Sequence, residues 1–260
     1  MTTDASRARR TTLVSGLAAT LICGAAQAGD DDSITPARPS VSSPAQLSRP
    51  GQLELELGGL QVRSGEARRE SLPYLIKLAV SKEWGLLLGG DAYVSMRDGG
   101  SRASGVGDTS VGLKGAWAVD DNTALGIELI AKLPTAADAL GDDKADTTLN
   151  TIYSRDFGPV HVDANLNATR LGLTDAGTGR TQIGAAVSFS TAIAEHWGVI
   201  VEPSGTHRSG VANPVLLLTA LTFSPNKRLT FDFGLARAAR PAPGATSFFA
   251  GVVFPLAQLW

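Results

Sequence analysis

The links between successive strand-like stretches of this chain alternate between short and long. After every second stretch the chain turns within a few residues, as at Lys82-Glu83, Asp120-Asp121-Asn122, Asp156-Phe157-Gly158, Glu195-His196 and Pro225-Asn226-Lys227. After each of the others it runs through a longer loop rich in Gly, Ser, Asp or Arg. Tight turns on one rim and longer loops on the other are the layout of an antiparallel, up-and-down transmembrane β-barrel. The expected fold is therefore all-β, with about twelve strands, an even count that returns the C-terminus to the side of the N-terminus.

Apolar and polar residues alternate with the period of two that gives a strand two unlike faces. Leu53, Leu55 and Leu57 alternate with Gln52, Glu54 and Glu56, and Leu86 and Leu88 belong to a face opposite Asp91 and Tyr93, with Ala92, Val94 and Met96 assigned to the leucines' side. Val111, Leu113 and Trp117 oppose Ser110 and Lys114, and Leu125, Ile127, Leu129 and Leu133 oppose Glu128 and Lys132. The pattern is clearest where Val160, Val162, Ala164, Leu166 and Ala168 alternate with His161, Asp163, Asn165, Asn167 and Thr169. The stretch from Asp146 to Arg155 has no readable polarity, and Val215 to Phe223 is apolar on both faces. The 29 glycines are spread through the strands, where they mark bulges or close backbone approach.

The first 28 residues read as a signal peptide. Arg7, Arg9 and Arg10 supply the charged start, Leu13 to Ala26 the apolar stretch, and Ala26-Gln27-Ala28 the small residues for cleavage after Ala28. Cys23, the single cysteine, leaves with it, so stability is expected from a closed hydrogen-bonded barrel rather than from disulfides. Residues 29–50, rich in Pro, Ser and Asp, read as a flexible periplasmic leader, with entry into the barrel as a plug the alternative. Residues 51–260 form the barrel. No later run is long enough for an apolar membrane helix.

Alternation does not say which face looks inward. A soluble barrel turns its apolar face in, and a membrane barrel turns it out. Charges recur mid-strand on the polar face, and an Arg or Lys facing lipid near the midplane would cost roughly 2–4 kcal/mol. Trp84 and Trp197 each follow a tight turn, the position of an interface girdle at the periplasmic side. The polar face is therefore assigned to the lumen, which Glu54, Glu56, Lys77, Asp91, Lys114, Glu128, Lys132, Asp163, Asn165, Asn167, Glu202 and Asp232 are expected to line. Along Glu56, Lys77, Asp91, Lys114 and Glu128 the sign flips at each strand, so neighbours about 4.8 Å apart are expected to pair. Such a ladder either fills and stiffens the lumen or lines a conducting path.

From Gly105-Val106-Gly107-Asp108-Thr109-Ser110-Val111-Gly112-Leu113-Lys114 the chain resembles a family of outer-membrane transporters associated with the meta-pathway of phenol degradation. Further matches are Leu125-Gly126-Ile127-Glu128, Lys132-Leu133-Pro134-Thr135, Asp146, Leu149-Asn150, Asp156-Phe157-Gly158, Asp163-Ala164-Asn165 and Phe249-Ala250-Gly251. The resemblance covers roughly residues 51 to 256 and implies a bacterial outer-membrane barrel that aids uptake of aromatic or other apolar compounds. One departure concerns the end of the chain. Such barrels commonly close on a terminal aromatic residue read by the insertion machinery, whereas here Pro255 is expected to interrupt the strand and Ala257-Gln258-Leu259-Trp260 to run past it.

Other chemistry has little support. A net charge of −2 excludes a nucleic-acid partner. His161 beside Asp163 suggests a hydrolase only if a nucleophile joins them, and no nucleophile motif is present. Asp138, Asp142, Asp143 and Asp146 suggest a Ca²⁺ loop, against which Lys144 stands. Neither metal-ligand spacing nor a nucleotide loop occurs, so no cofactor is expected. Arg68, Arg69, Arg102, Arg180, Arg208 and Arg240 are assigned to the longer loops, where they either meet lipopolysaccharide phosphates or stay solvated. The expected function is passive, channel-like passage of small solutes, not catalysis. The alternatives are a non-conducting structural or surface-binding barrel and a membrane-embedded lipid hydrolase. The expected partners are outer-membrane lipids, the barrel-insertion machinery at the C-terminal strand and the solute.

Overall fold

The computed structural model describes residues 32–137, 139–240 and 244–260. The expected signal peptide and its cleavage site lie outside these residues. The strands are β1 (Gln52–Ser64), β2 (Ala67–Ala79), β3 (Trp84–Asp98), β4 (Ser101–Gly105), β5 (Thr109–Asp120), β6 (Thr123–Leu133), β7 (Asp146–Phe157), β8 (Val160–Arg170), β9 (Thr181–Ala194), β10 (Trp197–Arg208), β11 (Val215–Asn226), β12 (Leu229–Arg240) and β13 (Thr246–Gln258). Each pairs antiparallel with its neighbours, and β1 closes the sheet by pairing with both β2 and β13. β4 and β5 are two pieces of one barrel strand. β4 pairs with the outer half of β3 (Val94–Asp98) and β5 with its inner half (Trp84–Gly90). The barrel is thus closed and twelve-stranded.

Adjacent residues settle which face is which. Leu129 is 52% exposed, while Glu128 beside it is 1% exposed. The same contrast runs round the barrel, with Leu113, Leu125, Leu166, Phe189, Leu217, Phe233 and Phe248 exposed and Lys114, Asp163, Ser188, Glu202 and Asp232 buried. A continuous apolar outer wall of this size has no place in water. Closure leaves no strand edge unpaired, which a lipid setting requires.

Four local expectations need correction. The first outer connection is not long: Gly65-Glu66 alone joins β1 to β2, because Gly65 takes φ +59° and completes a two-residue hairpin. Alternation slips by one in β3, where Ser71 pairs with Val94 but Pro73 with Asp91, so Ala92-Tyr93 form a bulge opposite Leu72. Val94 is consequently buried and Tyr93 exposed, the reverse of the expected faces. At the C-terminus Pro255 does not end the strand. The register shifts between Leu53↔Ala257 and Glu54↔Pro255, so the missing donor falls at a bulge and pairing resumes to Gln258. Finally, Arg68 and Arg69 lie in β2, Arg102 in β4, and Arg208 and Arg240 at the ends of β10 and β12, which leaves Arg180 alone of the six in a loop.

The two unreadable stretches also resolve. β7 turns Thr148, Asn150, Ile152 and Ser154 inward and Leu149, Thr151 and Arg155 outward, so each face mixes polar and apolar residues. The inner face of β11 is apolar because Leu216, Leu218 and Ala220 join Ile200, Ala236 and Phe249 in an apolar cluster inside the barrel.

Candidate functional site

The lumen is occupied by the chain itself. The segment expected as a flexible leader runs inside the barrel, with Ile34, Thr35, Ala37, Arg38, Ser40, Ser42, Ser43 and Ala45 all buried. Val41 packs against the apolar cluster of β10–β13. A gap beside the segment, lined by Ala37, Leu47, Lys77 and Lys114, holds about 20 Å³, room for about one water.

A segment with proline at 36, 39 and 44 cannot satisfy its own backbone donors by secondary structure, yet buried N–H groups need acceptors. The wall supplies them as side chains. Thr35 N–H donates to the Glu54 carboxylate at 3.2 Å, Ala37 N–H to Glu56 Oε1 at 2.7 Å, and Val41 and Ser42 N–H to the two oxygens of Glu202 at 2.8 and 3.0 Å. Ser43 N–H donates to Asn165 Oδ1 at 2.8 Å, and Ala45 N–H to Ser154 Oγ at 2.7 Å. In return Asn165 Nδ2 donates to the Ser43 carbonyl at 2.9 Å, and Lys77 Nζ to the Thr35 carbonyl.

One buried ion pair anchors the middle of the segment. Arg38 Nε lies 3.0 Å from Asp232 Oδ2, and its Nη2 donates to Asp232 Oδ1 and the Ala250 carbonyl, each at 3.3 Å. The guanidinium fits only because Gly58 and Gly251, paired across β1 and β13, leave the wall bare. A Cβ on either would come within about 2.3 Å of it. Gly85 and Gly126 make similar seats for Leu47 and Ala45. Four of the strand glycines, Gly58, Gly85, Gly126 and Gly251, thus receive the plug.

The expected lumen residues fall into two groups. Glu54, Glu56, Lys77, Lys114, Glu128, Asp163, Asn165, Glu202 and Asp232 surround the plug. Lys77 bridges Glu54 at 2.8 Å and Glu56 at 2.6 Å, and Lys114 pairs with Glu128 at 3.1 Å, whose other oxygen accepts from Ser43 and Asn150, each at 3.0 Å. The second group lies towards the long loops. Asp91 pairs with Arg69 at 2.7 Å rather than with Lys77 or Lys114, which breaks the expected ladder at both of its middle steps. Lys132 gathers Asp108, Asp142 and Asp146 at 3.3, 3.2 and 3.0 Å, and Asn167 lies over Gly184. Of the carboxylates considered for a Ca²⁺ loop, Asp142 and Asp146 thus hold Lys132, and Asp138 lies outside the described residues.

Arg38, Ser43, Asn150 and Ser154 are absent from the residues picked in sequence. The available signal was a mismatch: the inner faces of β10 and β12 offer Glu202 and Asp232 with no cation on a neighbouring strand. Residues 33–48 contain a single charge, Arg38.

His161 stands between two carboxylates, Asp156 at 2.7 Å from Nδ1 and Asp163 at 3.1 Å from Nε2. Ser154 donates its hydroxyl proton to Asp163, not to the ring. With both ring nitrogens taken by carboxylates, the arrangement has no nucleophile placed against a base.

Trp84 and Trp197 lie exposed at the tight-turn rim. Trp84 meets Trp117 edge-on at 5.4 Å, and Trp197 meets Phe223 at 4.8 Å and Phe233 at 6.3 Å. The aromatic band thus includes three residues beyond the two expected.

Apolar wall, charged interior and closed antiparallel sheet together define a transmembrane β-barrel. The chain belongs to the family described as "Putative MetA-pathway of phenol degradation", which residues 37–238 match. The matched range begins within the plug, not at the first strand. No curated protein matches the chain in sequence. Among solved structures, the COG4313 outer membrane channel from Pseudomonas putida F1 is similar with a TM-score of 0.65 and 14% identity, over 82% of this chain and 98% of that one. The KdgM porin is similar with a TM-score of 0.54 and 9% identity, over 78% of this chain and 99% of that one. At such identities the likeness is one of fold.

Proposed function

We propose that this protein resides in the bacterial outer membrane, exported by a signal cleaved after Ala28, and lets small solutes pass passively through its lumen. The plug is the element that limits passage. The observation that carries this reading is the chemistry of the inner wall: its carboxylates and amides bind, by side-chain hydrogen bonds, a segment that continues into β1 at Gly51 and is not itself a strand of the sheet. Bonds of that kind break and re-form without unfolding the sheet. The fold shared with an outer membrane channel and a porin supports the reading. The inner apolar cluster around Leu218 and Phe249, together with the family's link to phenol degradation, favours apolar or aromatic solutes. The Trp84 and Trp197 rim would sit at the periplasmic lipid interface, lipopolysaccharide would surround the opposite rim, and β13 would be read by the insertion machinery.

A second reading, a non-conducting structural barrel, is favoured by the fullness of the lumen. Single-channel recording in planar bilayers separates the two. The full chain is expected to open briefly and rarely, and a variant lacking residues 32–50 to give large, steady steps. Absence of steps from both proteins would establish the non-conducting reading.

A further inference from the structure

Cross-strand register brings five arginines into one row on the outside of the barrel. Arg63 is paired directly with Arg68, Arg68 with Arg97, and Arg97 with Arg102. On the other side Arg63 pairs with Thr246, and Thr246 with Arg237. Directly paired residues of an antiparallel sheet project to the same face. That face is the outer one. Arg63 continues the series Leu57, Gln61 on β1, and Gln61 pairs with the exposed Phe248. Arg237 continues the exposed series Phe231, Phe233, Leu235 on β12. The row therefore crosses β4, β3, β2, β1, β13 and β12 at the long-loop rim, immediately above the apolar wall.

Like charges directly opposite each other across strands are unfavourable, and here three such pairs follow in succession. Among the described residues the one carboxylate within 4 Å of a guanidinium of the row is that of Glu70, while Glu66 and Asp98 line the same rim as Arg97 and Arg102 without such a contact. Glu70 reaches Arg68 only at 3.9 Å and is itself bonded by Gln61 at 2.9 Å. Arg63 bonds the Gln61 side-chain oxygen at 2.7 Å and lies over the Phe248 ring, 5.8 Å from its centroid. Guanidinium groups bind phosphate in bidentate fashion, and the first four arginines span roughly 15 Å on strands about 4.8 Å apart. Beneath them Phe248 and Leu235 present apolar surface of the kind an acyl chain covers.

We infer that this row is a binding site for a phosphorylated glycolipid of the outer leaflet, its phosphates held by Arg63, Arg68, Arg97, Arg102 and Arg237 and its chains lying on the wall below. The inference rests on the outer-membrane reading for the identity of the lipid, but not on conduction.

The test titrates the refolded full chain in detergent with bisphosphorylated lipid A, with the same lipid stripped of both phosphates, and with phosphatidylglycerol. Bisphosphorylated lipid A is expected to bind at least tenfold more tightly than the other two and to weaken as salt rises. The variant R63Q/R68Q/R97Q/R102Q is expected to lose at least tenfold in affinity, while Arg155→Gln, an outward arginine near the tight-turn rim, leaves affinity unchanged. Heat-dependent gel mobility reports that the fourfold variant is folded, and if it is not, Arg63→Gln with Arg102→Gln carries the test. Equal binding of the dephosphorylated lipid or phosphatidylglycerol, unchanged affinity in the variant, or full displacement by millimolar inorganic phosphate would overturn the inference. Binding is read without current, so a conducting barrel indifferent to lipid A removes this site and leaves the channel reading intact.

Discussion

Arg38 concentrates the chemistry of the plug in one side chain. Removing one partner of a buried ion pair costs about 3–5 kcal/mol, because the other charge is left unpaired. The plug has other attachments, however, and hydrogen bonds to charged groups contribute about 1.5–3 kcal/mol each. With Glu54, Glu56 and Glu202 still engaged, Arg38→Ala is expected to loosen the segment without expelling it. In planar bilayers that variant should open more often than the parent, at unchanged step size. Gly251→Val tests the seat rather than the charge. Its Cβ would overlap the guanidinium, which sits where the sheet offers no side chain, so the same rise in opening is expected with Arg38 and Asp232 both present. Unchanged opening in both variants would mean that Arg38 does not hold the plug. Asp232 was legible in sequence as a mid-strand charge turned inward. Its partner was not, because 194 residues separate the two.

At the scale of elements, the plug and the strands obey different rules. A strand satisfies its backbone from its neighbours, and period-two alternation exposes it in the sequence. The plug satisfies its backbone from wall side chains and has no period at all, so it reads as an unstructured leader. Its order has a measurable consequence. The amides of Thr35, Ala37, Val41, Ser42, Ser43 and Ala45 all donate to buried acceptors and should be protected from hydrogen exchange. Ser42→Pro removes the donor to Glu202 Oε2 and restricts Val41 before it. Faster exchange across residues 37–45, with strand amides unaffected, is the expected outcome by mass spectrometry. Rapid exchange in the parent protein would instead restore the flexible leader. The β3 bulge shows the complementary limit within a strand. One extra residue at Ala92-Tyr93 reverses the faces beyond it, and nothing in the local pattern announces it.

For the whole molecule, the decisive quantity is the cost of putting charge on the wrong face. Leu129 and Leu113 are directly paired mid-strand on the outer wall. Leu129→Arg is expected to destabilise the barrel in lipid vesicles by about 2–4 kcal/mol if that position lies near the bilayer midplane. Reversible denaturant titration measures it. A change within about 0.5 kcal/mol, the range usual for surface substitutions away from special features, would show that this wall does not face lipid. The described strands close without disulfides, since the chain's one cysteine, Cys23, precedes the barrel. Cooperative hydrogen bonding round the closed sheet takes that role.

Strand number, antiparallel order and the polarity of each wall were determined by the sequence alone, because they rest on local periodicity and turn chemistry, which act over a few residues. The inward charges followed from the same periodicity once lipid was taken as the solvent. Tertiary structure decided what those charges bind. Glu54, Glu56, Glu202 and Asn165 serve one segment, which lies more than 100 residues from the last two in sequence, Asp91 turns to Arg69, and five arginines from five strands meet in one row. Each of these depends on register and closure, which set distances between residues that no local pattern connects.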